Sequence, residues 1–136
     1  MPVTRSVDYV VCARRHSKDA ESLHQAGARP NAGQLYGLSV ECALKAALVQ
    51  LGAVTLADGT IQDDLKHHVP RLITDLTVLP DGRPADALHA AAPNLARMRD
   101  WKIEHRYWRA RDIPLDSLAH WQAAAREMLR YLDDTN

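Results

Sequence analysis

Phenylalanine is absent from this chain of 136 residues, and cysteine, glycine and aromatic residues are sparse: two cysteines, six glycines, three tryptophans and four tyrosines. Two cysteines cannot frame an extracellular disulfide scaffold. Both Cys12 and Cys42 fall among apolar helical positions, where a thiol serves as a small buried side chain, so a reduced, cytoplasmic setting is expected. No apolar run is long enough to cross a bilayer, and the start of the chain, with Asp8, Arg14 and Arg15, lacks a signal-peptide core; no membrane role is expected. The formal net charge is zero, which excludes a uniformly basic nucleic-acid binder but leaves room for a local basic patch. There is no internal repeat, no low-complexity tract and no glycine-rich phosphate loop, so no cofactor is expected. What is plentiful is alanine, and β-branched clusters are few. The composition favours a single all-α domain over 1–136, large enough to bury a core without disulfides.

The organising stretch runs from Asn31 to Gly52. Between Leu35 and Leu51 the apolar residues fall on every side of a helical wheel, the pattern of a buried central helix. Asn31 or Gly33 can cap its start, and Gly52 stands where a glycine stop belongs. Glu41 and Lys45 interrupt the run at i,i+4, acid first, the favourable order for an intrahelical ion pair; such a pair is either a structural link at the core edge or a support beside a functional cleft. A first helix, 5 to about 26, carries Tyr9, Ala13, His16, Ala20 and Leu23 on one face, and Gly27-Ala-Arg-Pro30 turns it back into a helical hairpin. His16 reads as a core-edge histidine.

An irregular connection over 53–64 leads to a short amphipathic helix, about 69–78, with Leu72, Ile73 and Leu76 inward, ended by a turn over 79–84. The adjacent His67 and His68 splay apart at the helix entry, with no spaced cysteine or third histidine nearby, so no metal site is expected. Further helices are expected over 85–92, about 93–107 and about 115–133, the last burying Leu118, Trp121, Ala125, Met128, Leu129 and Leu132. The whole is an up-down bundle of four to five helices.

The local basic patch lies in 97–111. Arg97, Arg99, Lys102, Arg106, Arg109 and Arg111 stand against Asp100 and Glu104, with Trp101, Tyr107 and Trp108 interleaved. Cations for phosphates and flat rings for unstacked bases are what a flexible RNA strand needs, which makes Trp101, Lys102, Arg106 and Tyr107 candidate substrate-binding residues. The plainer alternative is that Trp101, His105 and Trp108, at i, i+4 and i+7, form the core stripe of a helix whose arginines face solvent.

Ala13-x-x-His16-x-x-Asp19-Ala20-x-x-Leu23, then Asn31-Ala-x-x-Leu-x-Gly-x-x-x-Glu41-x-x-Leu44-Lys45, then Leu65-x-x-His68, and finally Arg99-Asp100-x-x-x-x-His105-x-Tyr107 resemble the HEPN family across nearly the whole chain. The resemblance implies a helical bundle that pairs as a homodimer. For the branch of metal-independent endoribonucleases it implies Arg99, Asp100 and His105 as catalytic residues: an arginine, a polar residue next to it, and a histidine separated from the arginine by five residues. For the toxin branch it implies a minimal nucleotidyltransferase antitoxin as partner, with Tyr107 in the place of the tyrosine that the partner modifies. In that chemistry His105 exchanges a proton with the RNA 2′-hydroxyl or the leaving oxygen, Arg99 stabilises charge on the phosphate, and Asp100 orients a partner. In a continuous helix Arg99 and His105 stand about 9 Å and about 120° apart, so a shared site needs two copies meeting across a two-fold axis. Trp101-x-Ile-Glu-x-Arg-Tyr107 aligns equally with HEPN members that carry a tryptophan, acid and arginine-tyrosine signature and no catalytic histidine. Those members imply a non-catalytic module that binds a nucleotide or docks on a nucleotidyltransferase.

Overall fold

The periodicities above build an all-α bundle. The computed structural model describes residues 6–76 and 82–135, with 64, 74–76 and 82–85 described by backbone alone. Its α-helices are α1 (Tyr9–Gln25), α2 (Arg29–Gln50), α3 (Val69–Leu76), α4 (Gly82–Ala91) and α5 (Leu115–Thr135). Short 3₁₀ stretches at Pro93–Asp100, Ile103–Tyr107 and Ala110–Asp112 join α4 to α5. No helix among the described residues is long and apolar enough to cross a membrane.

α2 is the buried axis. Its exposed residues are few, and α1, α3, α5 and Ile103–Tyr107 all pack against it. Asp8 starts α1 by accepting the Val11 N–H at 3.1 Å, so this helix begins later than residue 5. α2 starts earlier than expected. Arg29 and Pro30 form its first turn, where proline's missing N–H costs nothing, and neither Asn31 nor Gly33 caps it. Gly27 and Gly52, both at positive φ, follow α1 and α2. Gly82, Arg83 and Pro84 belong to α4 rather than to a turn, while residues 77–81, where the earlier part of that turn and the end of the 69–78 helix were expected, lie outside the described residues. Leu72 and Ile73 point into the core as expected.

Polar links fasten the helices to one another. Ser39 Oγ donates to the Ala13 carbonyl at 2.7 Å between α2 and α1. Glu21 on α1 is a hub: Tyr36 Oη donates to it at 3.0 Å from α2, and Gln122 Nε2 at 2.8 Å and Arg126 Nε at 2.7 Å from α5. Because the Tyr36 hydrogen is committed to Glu21, its oxygen accepts from His24 Nδ1–H at 2.8 Å, which fixes the histidine tautomer. Burial pushes the Glu21 carboxyl up, but the hydrogen bonds from Arg126, Gln122 and Tyr36 outweigh it and hold the group below its ordinary value of 4.5. A depressed carboxyl stabilises the fold at pH values above its ordinary titration, and that contribution is lost as pH falls through the folded value. Glu21→Ala is therefore expected to cost about 2 kcal/mol at neutral pH, in the range for hydrogen bonds to a charged group. The cost should shrink towards about pH 3, which urea denaturation at the two pH values checks.

Candidate functional site

The apolar positions leading into the basic segment are Ala92, Leu95, Met98 and Trp101, three apart and all buried. A spacing of three is the period of a 3₁₀ helix, in which side chains at i and i+3 eclipse. The continuous helix expected over 93–107 is accordingly replaced by Pro93–Asp100 and Ile103–Tyr107, with Trp101 and Lys102 extended between them. The Arg99–His105 separation worked out for an unbroken helix does not apply to this backbone.

The break lets Trp101 turn inward. Its indole is 1% exposed, lies against Gly37, and donates Nε1–H to the Gly33 carbonyl at 2.9 Å. Asp100 turns towards α5, where its Oδ1 accepts from Trp121 Nε1 at 2.9 Å and its Oδ2 accepts from Ser117. His105 is 3% exposed, stacked on Trp121 with ring centroids 5.3 Å apart and edge-on to Trp108 at 4.3 Å. Its Nδ1 accepts the Lys102 N–H at 3.4 Å, so the neutral ring carries its hydrogen on Nε2. Burial lowers the His105 pKa, and Lys102 lowers it further, against the opposing carboxylates of Asp100 and Glu104. Gln34 Nε2 completes the anchoring by donating to the Lys102 carbonyl at 2.8 Å. Asp100, Trp101 and His105 thus face the protein's own interior or its α5 partner side chains, and Trp101 offers no open ring face to a base.

The other members of the segment face outward. Arg97, Arg99, Lys102, Arg106, Arg109 and Arg111 are exposed, and none is ion-paired among the described residues. Tyr107 is 76% exposed with the Arg106 guanidinium 5.0 Å from its ring centroid, and Trp108 is 41% exposed. Arg29 reaches the segment from the first turn of α2, its Nη2 3.4 Å from the Ala110 carbonyl and its buried Nε without a partner among the described residues. Nothing in the sequence marked Arg29, because the contact spans 81 positions.

Glu41 and Lys45 form the expected pair at 3.3 Å, with side chains 11% and 12% exposed. Glu41 also has a partner that sequence reasoning missed: its Oε1 lies 2.8 Å from His68 Nδ1, across 27 positions. His68 stands edge-on to Trp101, with ring centroids 6.4 Å apart. It lines a cleft of about 410 Å³ together with Lys66, His67, Arg71, Lys102 and Glu104. Cys42, beside Glu41, is chemically quiet. Burial, helped by that carboxylate, pushes its thiol up to about 12.

No protein-family model, curated protein or solved structure matches this chain.

Proposed function

We propose that this chain is a HEPN-type helical bundle directed at cytoplasmic RNA, holding a single strand on the ridge of Arg97, Arg99, Lys102, Arg106, Tyr107, Trp108, Arg109 and Arg111. One observation carries this reading: six exposed cations without ion-pair partners among the described residues share with two exposed rings a segment that Trp101 and His105 anchor to the bundle. Cations of this kind release counterions from phosphates, and exposed rings supply stacking faces. His105 enters as a structural anchor, since its ring is enclosed by Trp121 and Trp108.

The test is fluorescence anisotropy with a labelled single-stranded RNA at several salt concentrations. Tyr107→Ala is expected to weaken binding about tenfold, within the cost of losing one base stack. Arg106→Ala and Arg109→Ala are each expected to lower the slope of log K against log salt by about 0.7, the value for one phosphate contact on a single strand. Absence of binding, or affinity indifferent to all three substitutions, ends the reading.

A second reading is favoured by the exposure of Tyr107. It is the toxin-type endoribonuclease: a homodimer using Arg99, Asp100 and His105, with Tyr107 open to modification by a minimal nucleotidyltransferase. It requires RNA products with cyclic phosphate ends that disappear in His105→Ala. RNA bound and left intact by the unaltered chain decides for the ridge alone.

A further inference from the structure

We propose that the cleft between the entry of α3 and residues 101–104 is a second site, built to take a phosphate group. Lys66, Arg71 and Lys102 line it with His67 and His68, and Glu104 is the one lining carboxylate among the described side chains. Histidines aside, the described lining side chains carry three positive charges against one negative. Lys66 has a further carboxylate in reach, Asp63 at 4.0 Å, but that pair is exposed and weak. A space of about 410 Å³ holds a phosphate with a sugar attached.

The decisive feature is how His68 is held. A carboxylate can only accept, so the 2.8 Å contact places the His68 hydrogen on Nδ1, directed at Glu41. The opposite nitrogen, Nε2, has no partner among the described residues. With Trp101 edge-on to the ring, His68 is fixed from two sides in the manner of an imidazole oriented by a carboxylate behind it. Glu41 does not spoil the site for an anion, because Lys45 at 3.3 Å and His68 both face its charge. Nε2 then meets a phosphate oxygen, as a donor when the ring is protonated or as acceptor of a phosphate hydroxyl when it is neutral. The lysines and Arg71 supply the remaining charge-assisted hydrogen bonds.

The site shares Lys102 with the RNA ridge, yet it stands without that reading. Free phosphate, a mononucleotide and an RNA end all present the same group, and separate titrations tell them apart. The 136-residue chain is titrated with sodium phosphate and with adenosine monophosphate at constant ionic strength, following the ring resonances of His67 and His68 and the Trp101 indole N–H. Saturable shifts are expected at millimolar ligand, with Lys66→Ala/Arg71→Ala weakening binding at least about tenfold. His68→Gln and Glu41→Gln should also weaken it while the Trp101 indole resonance shows the fold retained. Tighter binding of adenosine monophosphate assigns a nucleotide or RNA end, and equal binding assigns phosphate alone. Flat titrations to about 10 mM ligand, or an affinity unchanged in the double variant, overturn the proposal. If the titrations are flat while Tyr107→Ala still impairs RNA binding, the ridge stands and only the cleft falls.

Discussion

Gly37→Ala is expected to destabilise the protein by about 3 kcal/mol or more, the upper part of the range for overpacking, although alanine is the better helix former. A Cβ at Gly37 would fall within the Trp101 indole, against Cε2 and Nε1, and no rotation of a flexible side-chain tip relieves it. Gly33, one turn earlier, is also tight: a Cβ there would come 2.9 Å from Trp121 Cζ3. The two glycines cut a groove in α2 that admits two tryptophans, and the Gly33 carbonyl receives the hydrogen of one of them. Trp101→Ala should cost about 3–5 kcal/mol by leaving a cavity in the same groove. The informative measurement is the double variant. With the indole gone, the methyl at position 37 meets no ring, and Gly37→Ala should then stabilise by up to about 1 kcal/mol through helix propensity. Denaturant midpoints of the four proteins read this change of sign. A Gly37→Ala penalty that survives in the Trp101→Ala background would mean that the contact is not what makes glycine necessary.

The second large effect concerns the ion pair inside α2. Glu41→Leu removes the acceptor shared by Lys45 and His68 and leaves the Lys45 ammonium, 12% exposed, without its carboxylate. Breaking one side of a buried pair costs about 3–5 kcal/mol; the lower end is expected, because the lysine stem can carry its charge towards solvent along the Tyr9 ring, 5.9 Å from the ammonium. Glu41→Leu/Lys45→Met should recover most of the loss, since replacing both charges by apolar groups removes the desolvation penalty along with the attraction. Thermal or urea unfolding of the single and double variants reports both values. A double variant as unstable as Glu41→Leu would show that the His68 contact, not the uncompensated lysine, dominates.

The bundle was legible because its main helices announce themselves locally. The apolar encirclement of α2 and the one-sided stripes of α1 and α5 are properties of consecutive residues, and α2 packs against both α1 and α5. The segment between α4 and α5 departs from the single helix expected over 93–107 for an equally physical reason. Trp101, His105 and Trp108 fit a helical period, but the stronger signal was the period of three through Ala92, Leu95, Met98 and Trp101, which belongs to the tighter helix. Helix ends were displaced where two signals competed, as at Pro30, which can follow a turn or open a helix. The contacts around the candidate sites are beyond the reach of sequence. Glu41 with His68, Asp100 with Trp121 and Gln34 with Lys102 join residues far apart in the chain, and no local pattern encodes which distant side chain will arrive. Glu41 stands out in the sequence as a charge in an apolar helix, but nothing local announces its second partner.

The arm from Pro93 to Asp112 is pegged to the bundle by Asp100, Trp101 and His105, and by Asn94, whose backbone and side-chain nitrogens both donate to Glu127. Trp108 apart, which packs edge-on against His105, those pegs hold the backbone without help from the outward arginines. Such an arm separates the side chains that fasten it from those that meet solvent, so an arginine along its rim can be exchanged for another residue without disturbing the contacts that fix the backbone.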